Sequence, residues 1–334
     1  MNVALVKLSS LGDVVHALPV AAALRAHNPS WRLTWIVERR EAALLRDNPV
    51  LDAVLPVDTR GWRRARRLRD LVGVAREVAG LRRRLRAERF DAAVDLQGLV
   101  KSGLLTAATG APLRIGYAIG QCREPLNVLF TNRRVTPPAT ARHVVEQNLA
   151  LLTPLGVRAG EPEFPLALDR EADAAIARFF TGAGLKARDR VVVLNPGAGR
   201  PDKQWPVAHF RELARRLTDE GAATVLVVWG PDELARAREI VDGAARARAF
   251  LAPPTGLDEL VALLRQASVV VSADTGPLHL AAALGTRCVG LYGPTSAVRN
   301  GPYGDRHRAL QSGDGRVASL DPDAVFRVVV DVLG

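Results

Sequence analysis

Short apolar runs alternate with longer amphipathic stretches along almost the whole chain. The runs are rich in Val, Leu and Ile and show little polar–apolar alternation, which is typical of strands buried on both faces of a parallel sheet. The strands predicted from these runs are Asn2–Lys7, Arg32–Glu38, Ala53–Val57 and Phe90–Leu96 in the first half, and Arg190–Asn195, Ala223–Trp229, Ala247–Ala252, Ser268–Ser272 and Arg287–Tyr292 in the second.

The stretches between the strands carry apolar residues at helical spacing. Helices are therefore predicted at Val14–His27, Trp205–Glu220, Asp232–Ala245, Leu257–Gln266, Leu278–Leu284 and Asp321–Leu333. Strands that alternate with helices indicate βαβ units and a doubly wound α/β fold.

The chain begins this pattern twice, since a strand, a loop of small residues and a helix follow one another at the N-terminus and again from residue 190. Between the two halves, Gly156–Asp169 has the Gly and Pro content of a linker. We predict an N-terminal Rossmann-like domain at 1–155, a C-terminal one at 156–315 and a helical tail at 316–334. Two such domains facing each other would form a cleft at the carboxyl ends of their strands, where open α/β sheets bind ligands.

Composition excludes several classes of protein. With 334 residues, 48% of them hydrophobic and 24% charged, the chain has an ordinary globular composition and the length of two domains. Cys122 and Cys288 match no metal or redox spacing, and they exclude a disulfide-stapled secreted scaffold. No apolar run reaches the roughly 18 residues of a membrane helix, and the N-terminal apolar stretch is too short for a signal peptide. A cytoplasmic location is expected.

The distribution of charge along the chain is more informative than the overall composition. The net charge is +11, and residues 60–89 carry twelve arginines against three acids. Such a patch is expected to meet an anionic partner, which could be nucleic acid, a membrane surface or a phosphorylated substrate. A solvated helix face explains the same charge run equally well. A nucleic-acid-binding protein is expected to carry more aromatic side chains for stacking than the 5% found here.

A first candidate site lies in the loop after the first predicted strand, at residues 7–16. Asp13 occupies the position expected of a helix N-cap, and capping is a purely structural role. In the second interpretation, Asp13 is a carboxylate at the mouth of the cleft, near Lys7 and His16, where it can act as a general base. The residues alone leave both interpretations open. The loop lacks the GxGxxG pattern of dinucleotide-binding proteins.

A second candidate site is the loop at residues 195–206, which begins with Asn195 at the end of a predicted strand. Gly197 and Gly199 would let backbone N–H groups approach an anion, a helix is predicted directly afterwards, and Lys203 adds a point charge. These features suit phosphate binding, although the segment is not a Walker A sequence. A tight strand–helix loop with a surface lysine is the alternative.

A third candidate site also joins a buried strand to a helix. Asp274, Thr275 and the Gly276 amide are expected to face the cleft, with His279 one turn into the helix. The triplet Asp-Thr-Gly also occurs in aspartic proteases, but those are all-β proteins that need two such loops.

A weaker signal follows the predicted strand Ala223–Trp229. Glu233 lies just beyond its end, where a carboxylate can accept hydrogen bonds from ribose hydroxyls. A first-turn acid favoured by the helix dipole is the alternative.

Seven short segments stand out, in this order: VKLSSLGDVVHALP, DLQGLVKS, REPLNVLFTNR, DKQWP, WGPDE, SADTGPLHLAAALG and LYGPT. Together they resemble glycosyltransferase family 9, and within it the lipopolysaccharide heptosyltransferases. They extend over nearly the whole chain. Each is weak alone, but seven in family order are specific. The first loop, DLQGLVKS and DKQWP are closer to type I than to type II of these enzymes.

The resemblance implies an α/β fold of the GT-B type, with two Rossmann-like doubly wound domains facing a central cleft. It implies an inverting glycosyltransferase that needs no metal and no other cofactor. The implied reaction moves L-glycero-D-manno-heptose from ADP-heptose to the Kdo of Kdo2-lipid A during lipopolysaccharide inner-core synthesis. Such an enzyme would work in the cytoplasm, in peripheral contact with the anionic surface of the inner membrane, and would bind no nucleic acid.

The resemblance also implies roles for individual residues. Asp13 matches the catalytic base of the family, and Lys203 would hold the donor diphosphate and stabilise the leaving group. The residues expected to bind ADP-heptose are Asn195, Gly197, Gly199, Lys203, Glu233, Asp274, Thr275, Gly276 and His279. Those assigned to the acceptor are Lys7, Ser9, Ser10, Gly12, His16, Arg63, Arg64, Gln97, Lys101, Arg123 and Glu124.

The chain departs from the family pattern at one place in the donor loop. Ala198 and Gly199 stand where a compared family member has two threonines near the donor phosphates, so side-chain hydroxyls are missing there. The basic patch is expected to serve the acceptor, with Arg63 and Arg64 near anionic sugar groups. The later arginines are expected to face water or the membrane: Arg82, Arg83, Arg84 and Arg86. A type II heptosyltransferase, or a family 9 enzyme with another sugar donor, is the alternative function.

Overall fold

The computed structural model describes residues 1–64, 68–186, 189–244 and 248–334, and it describes only the backbone of residues 63, 64, 68, 69 and 71. The chain divides into two compact units, Met1–Ala167 and Leu168–Gly334. The division therefore falls later than residue 155, where the sequence suggested it. The segment after residue 155 stays with the first unit, where the Asn48 side-chain amide donates a hydrogen bond of 2.7 Å to the Pro165 carbonyl.

The first unit is built on a six-stranded sheet. Its strands are β1 Asn2–Val6, β2 Arg32–Glu38, β3 Ala53–Val57, β4 Ala92–Asp95, β5 Leu113–Tyr117 and β6 Arg133–Val135. Its helices are α1 Leu11–Val15, α2 Leu18–His27, α3 Thr59–Arg64, α4 Leu68–Ala87, α5 Val100–Thr109 and α6 Val144–Ala150. Short 3-10 helices lie at Ala42–Leu45, Pro125–Phe130 and Thr153–Leu155.

All strand pairs of the first sheet are parallel, in the order β3-β2-β1-β4-β5-β6. The central strand β1 is buried from Val3 to Val6, which explains its unbroken apolar run. Strands β5 and β6 were not predicted. Arg114 and Gly116 interrupt the apolar pattern of β5, and β6 is a short edge strand with two exposed arginines.

The helix predicted at Val14–His27 is in fact two helices, and the first begins earlier, at Leu11. Pro19 lies in the first turn of α2, where its missing N–H costs nothing, so it starts a new helix rather than continuing the old one. The N-cap of α1 is Ser10. Asp13 is therefore inside the first turn of α1, and the prediction that it occupies the N-cap position was wrong.

The second unit is also built on a six-stranded sheet. Its strands are β7 Val191–Asn195, β8 Thr224–Val227, β9 Ala249–Leu251, β10 Val269–Ala273, β11 Arg287–Tyr292 and β12 Arg308–Gln311. Its helices are α7 Arg170–Gly182, α8 Val207–Asp219, α9 Leu234–Asp242, α10 Leu257–Gln266, α11 Gly276–Ala283, α12 Ala297–Asn300 and α13 Pro322–Leu333. Short 3-10 helices lie at Pro201–Lys203 and Val317–Ser319.

The strand order of the second sheet, β12-β11-β10-β7-β8-β9, repeats the topology of the first, again with parallel pairs only. Helix α13 is part of this unit rather than a separate tail. Its Val325, Phe326 and Val329 lie in the same apolar core as Phe210 of α8, and the Arg216 guanidinium lies 4.0 Å from the centre of the Phe326 ring. The α/β class and the two doubly wound units predicted from the sequence are confirmed.

The two sheets share one functionally important feature. In each, the chain leaves the first central strand toward one edge and later returns to the strand beside it, so that β1 lies next to β4 and β7 lies next to β10. At such a switch point the loops at the carboxyl ends of the two strands diverge and leave a crevice, where open α/β sheets bind ligands. Each unit therefore has one preferred position for a site.

The described ranges contain no disulfide, no candidate metal-binding group and no helix that could span a membrane. Cys122 and Cys288 are both free thiols. Within those ranges, the His, Cys, Asp and Glu side chains form no group of three or more that could hold a metal ion. The helices described there all fall short of the length and apolar character required to cross a bilayer.

Candidate functional site

The switch point of the first unit carries Asp13, in the first turn of α1. Its Oδ2 accepts a hydrogen bond of 3.1 Å from the Ser10 backbone amide. Arg123 forms a two-pronged pair with the same carboxylate, with Nη2 2.7 Å from Oδ1 and Nη1 3.4 Å from Oδ2. The Lys7 ammonium lies 3.9 Å from Oδ1. Asp13 thus lies between two cations, and its side chain keeps 17% of its surface exposed.

The charge state of Asp13 follows from these contacts. Burial is the largest single influence, and it acts to raise the pKa of the carboxyl. Lys7 and Arg123, by charge and hydrogen bonding, and the Ser10 amide together outweigh it, so the net pKa of Asp13 is lowered. The group is therefore a carboxylate at neutral pH, which is the state that a general base requires.

The loop beside Asp13 is held in place by Gln97, at the end of β4. The Gln97 Oε1 accepts hydrogen bonds from the Leu8 and Ser9 amides at 2.9 and 3.3 Å, and its Nε2 donates to the Ser9 carbonyl at 2.6 Å. Gln97 is only 3% exposed. Gln97 and Ser9 thus contact each other, and this contact fixes the loop before α1. The acceptor contact of the two residues stays a prediction.

Asp95 anchors the same corner and was missed by the sequence analysis. Its Oδ1 accepts from the Gln97 and Gly98 amides, and its Oδ2 accepts from Ser102 and Asn127, at distances between 2.6 and 3.1 Å. Burial raises the pKa of this carboxyl despite the four hydrogen bonds. A carboxylate at the end of a buried strand and three residues before a loop glycine was the signal that could have revealed it.

The remaining acceptor candidates divide into buried and exposed groups. His16 is buried and its ring packs edge-on against His143, with centroids 5.3 Å apart, so it belongs to the interior. Gly12 is buried in α1 and Ser10 is exposed beside Asp13. The Glu124 carboxylate accepts a hydrogen bond of 2.6 Å from the Val100 amide at the start of α5.

Lys101 also has a partner within its own unit. Its ammonium lies 3.6 Å from Oε1 of Glu38, a residue only 2% exposed, and Thr59 donates its hydroxyl to the same oxygen. The lysine is thus the counter-ion of a buried carboxylate, and an acceptor would have to compete for it.

The basic patch is only partly described. The side chains of Arg63 and Arg64, the two arginines expected to touch the acceptor, lie outside the described residues. Helix α4 buries Leu81 and Leu85. Its polar face exposes the arginines that were expected to face water: Arg82, Arg83, Arg84 and Arg86.

The switch point of the second unit carries three charged or titratable side chains in a row. The Lys203 ammonium lies 2.6 Å from Oδ2 of Asp274, and the His279 Nε2 lies 2.9 Å from Oδ1 of the same carboxylate. Burial is the largest influence on the pKa of Asp274 and raises it, but His279 and Lys203 together outweigh it and bring the pKa far below its ordinary value. The structure therefore brings together three residues that the sequence assigned to the donor.

A buried hydroxyl and amide network supports Thr275, the residue before α11. The Asn195 Nδ2 donates to the Ser272 Oγ at 2.9 Å and to the Thr275 Oγ1 at 3.1 Å, and the two hydroxyls lie 2.8 Å apart. Thr275 makes no side-chain cap to α11, whose first turn begins at Gly276. Pro277 has no N–H and the His279 amide donates to the Thr275 carbonyl, so the Gly276 and Leu278 amides are the first-turn donors left for a ligand. Ser272, which is fully buried, was not predicted as a site residue.

The loop after β7 differs from its prediction. Helix α8 begins only at Val207, after a 3-10 turn, so the two loop glycines do not lie at its N-terminus. A Cβ at Gly197 would meet the Glu233 carboxylate, so the loop passes directly under that group. The carboxylate is the end of a flexible side chain that can move aside, so this contact does not by itself require glycine. A Cβ at Gly199 would meet nothing within 4 Å, so no close approach requires glycine at that position.

Trp205 of the DKQWP segment fixes the loop from the other side. Its side chain is 2% exposed, donates a hydrogen bond of 3.0 Å to the Leu320 carbonyl and packs on Phe210. Trp205 thus anchors the segment that carries Lys203, while Lys203 itself keeps 18% of its side-chain surface exposed.

Replacing Arg123 with alanine should move the acidic limb of the kcat/KM–pH profile to higher pH. In the wild type, the lowered pKa of Asp13 keeps this carboxyl ionised as the pH falls toward 3.8, the ordinary pKa of an aspartate. The expectation holds if Asp13 is the general base. Without Arg123, burial is less opposed and the pKa rises, so activity is lost at a higher pH. The matched control is Arg133→Ala, which removes an exposed arginine and should leave the limb in place. An unchanged limb in Arg123→Ala would contradict the assignment.

Known proteins are similar to this chain over most of its length. The sequence model of glycosyltransferase family 9 (heptosyltransferase) matches residues 78–324. Lipopolysaccharide heptosyltransferase 1 of Salmonella typhimurium is 34% identical over 327 residues, which cover 98% of this chain and 99% of that protein. The protein of the same name from Pseudomonas aeruginosa is 34% identical over 316 residues, covering 91% and 82% of the two chains.

Solved structures agree with the sequence relatives. The structure of E. coli heptosyltransferase WaaC with ADP has a TM-score of 0.81 and 31% identity, and it covers 99% of this chain and 100% of that one. E. coli ADP-heptose lps heptosyltransferase II has the same fold, with a TM-score of 0.77, 24% identity and coverage of 100% and 98%. The GT-B type of α/β fold expected from the sequence is confirmed by this likeness. The chain belongs to glycosyltransferase family 9, the heptosyltransferase family.

Proposed function

We propose that this enzyme transfers L-glycero-D-manno-heptose from ADP-heptose to the Kdo of Kdo2-lipid A, with inversion at the anomeric carbon. The observation that carries the proposal is the clamped, ionised carboxylate of Asp13 at the switch point of the first unit. The relatives named lipopolysaccharide heptosyltransferase 1 support the choice of sugar. A solved WaaC structure with ADP-2-deoxy-2-fluoro heptose, 31% identical to this chain, supports the choice of donor.

The donor is assigned to the second unit. ADP-heptose carries a diphosphate, and its bond to the sugar breaks with negative charge developing on the leaving phosphate. Lys203 and the open first-turn amides of α11 supply positive charge for it. Asp274 and His279 hold Lys203 in place, and the Glu233 carboxylate above Gly197 is suited to accept hydrogen bonds from ribose hydroxyls.

The acceptor is assigned to the first unit. A Kdo hydroxyl becomes a nucleophile only if a base takes its proton as it attacks the anomeric carbon, and Asp13 is proposed as that base. Kdo2-lipid A is anionic, so Arg123 beside Asp13, which keeps 41% of its side-chain surface exposed, is suited to bind it. Lys7 is only 2% exposed and donates to the Leu96 carbonyl at 2.7 Å, so its charge acts mainly on Asp13. We place the enzyme in peripheral contact with the cytoplasmic face of the inner membrane, where this acceptor is made.

The test is turnover of ADP-heptose with a soluble, deacylated Kdo2-lipid A acceptor in excess EDTA. Release of ADP and a heptosylated product with the inverted anomeric configuration are expected. A type II heptosyltransferase would instead require an acceptor that already carries one heptose, so this second acceptor is tested in parallel. Turnover of the second acceptor only, or strict dependence on added Mg²⁺ or Mn²⁺, would contradict the proposal.

A further inference from the structure

The 3-10 turn Pro125–Phe130 presents two large apolar side chains to solvent. Leu126 is 64% exposed and Leu129 is 71% exposed. Residues three apart in a 3-10 helix lie above one another, so the two leucines point to the same side. Exposed leucines are common singly, whereas a cluster of them on one side of an ordered element marks an interaction surface.

The turn is firmly held from its inner side, so the exposure of its leucines is not fraying. Asn127, between them, is fully buried and donates a hydrogen bond of 2.6 Å to Asp95. The carbonyls of Val128 and Phe130 each accept a hydrogen bond of 3.0 Å, from Arg134 and Arg114 respectively. The interior of the turn is thus polar and satisfied, while its outer side is apolar.

Helix α5 supports the turn from its inner side. A Cβ at Gly103 would lie 2.6 Å from the Phe130 ring and 2.9 Å from the Asn127 amide, so this glycine lets the helix lie directly against the turn. The outer side of the turn is formed by Leu126 and Leu129, and we call these two residues the leucine face.

Basic residues flank the leucine face along the chain, and Arg114 and Arg134 contact the carbonyls of its turn. The segment 111–142 contains five arginines, and its one acid is Glu124, whose carboxylate is held by the Val100 amide. Arg123 precedes the turn and Arg133 follows it, both exposed. Apolar side chains with a basic rim suit the boundary between lipid headgroups and acyl chains on an anionic membrane.

We propose that the leucine face docks on the anionic surface of a lipid bilayer. This inference rests on the proposed function, because a lipid-anchored acceptor must be reached at the membrane. The turn starts two residues after Arg123, which holds Asp13 at 2.7 Å. Docking through the turn therefore brings the proposed base, Asp13, close to the bilayer surface, where the sugars of a lipid-linked acceptor lie.

The test is co-sedimentation of the full chain with acceptor-free vesicles of phosphatidylglycerol and phosphatidylethanolamine, and with phosphatidylcholine vesicles. The variant is Leu126→Ser with Leu129→Ser, and the matched control is Leu168→Ser with Val298→Ser, two exposed apolar residues of the second unit that are 50% and 53% exposed. The wild type should prefer the anionic vesicles. The partition constant of the leucine variant should fall by on the order of tenfold or more, because the free energy of burying even one leucine side chain corresponds to a factor of about that size. The partition constant of the control should change by less than about twofold.

Equal binding of the leucine variant and the wild type would overturn the proposal. So would a leucine variant that binds normally but loses a dimer that the wild type shows in analytical ultracentrifugation, because the face would then be an interface between two copies. The single variants Leu126→Asn and Leu129→Asn, with melting temperatures measured for each, separate loss of docking from loss of folding.

The soluble, deacylated acceptor separates this inference from the proposed function. Normal turnover of that acceptor with a selective loss of vesicle binding in the leucine variant supports docking. Vesicle binding through the leucine face by a wild type that turns over neither acceptor also supports docking, while the proposed function fails.

Discussion

Replacing Asp13 with asparagine should lower kcat by about 10²-fold or more, with ADP affinity almost unchanged. The amide has nearly the shape of the carboxylate but cannot take a proton from the acceptor hydroxyl, and a positioned acid–base group commonly contributes a rate factor of this order. The measurement is steady-state turnover with ADP-heptose and a soluble, deacylated acceptor, together with calorimetry of ADP binding. Wild-type turnover in Asp13→Asn would contradict the role as base.

A structural role for Asp13 predicts a different result. Its Oδ2 accepts from the Ser10 amide at the start of α1, and loss of such a helix-terminal contact costs roughly 1 kcal/mol of stability. In that case the melting temperature falls while kcat stays near normal. Both quantities are therefore measured on the same variant.

Asp169→Asn is the matched control. Asp169 is the N-cap of α7 in the second unit, and its side chain accepts a hydrogen bond of 2.8 Å from the Ala172 amide. It has the same chemistry at a helix N-terminus but no arginine clamp. Asp169→Asn should change stability slightly and leave kcat unaffected, so a similar loss of kcat in both variants would point to a general effect of weakened helix ends.

The strands that sequence could predict are the buried ones. Residues 191–194 and 269–271 are unbroken apolar runs because both faces of these strands are covered, and the runs are visible without any structure. The edge strand Arg308–Gln311 was missed, because its residues are largely exposed and carry no apolar pattern. A local apolar pattern indicates that a strand is buried. An edge strand forms through pairing with a strand distant in sequence, so no local pattern indicates it.

The candidate site was predictable for a related reason. Its residues lie in the loops and first helical turns that follow buried strands, so strand prediction already indicated the segments that carry Asp13, Lys203 and Asp274. The side chains that contact these residues could not be predicted in the same way. The contact of Arg123 with Asp13 joins residues 110 positions apart, and that of Lys203 with Asp274 joins residues 71 apart, so no local pattern could reveal them.

Some residues of the recognised motifs make contacts that support the loops of the site. Gln97 and Asp95 use all their described contacts to fix the loops at the switch point, and Trp205 anchors the lysine segment in the core. A motif marks residues needed for function without distinguishing those that touch a substrate from those that position its neighbours. That distinction required the hydrogen-bond partners.

Replacing Lys203 with alanine should weaken ADP binding by about tenfold or more and lower kcat by about 10²-fold. The ammonium lies at the switch point of the second unit, and charge placed where negative charge develops is commonly worth a rate factor of this order. ADP binding is measured by calorimetry and kcat by turnover of ADP-heptose. The control is Lys186→Ala, which removes an exposed lysine of the same unit and should change neither quantity.

Lys203→Arg sharpens the test. A planar guanidinium cannot take the place of a compact ammonium 2.6 Å from Asp274 without displacing its neighbours, so only partial rescue is expected. If Lys203 serves only as the structural partner of Asp274, both substitutions should lower the melting temperature and leave ADP affinity at the wild-type value. Weakened ADP binding in Lys203→Ala at an unchanged melting temperature would instead assign the lysine to the diphosphate, because only a ligand contact is lost in that case.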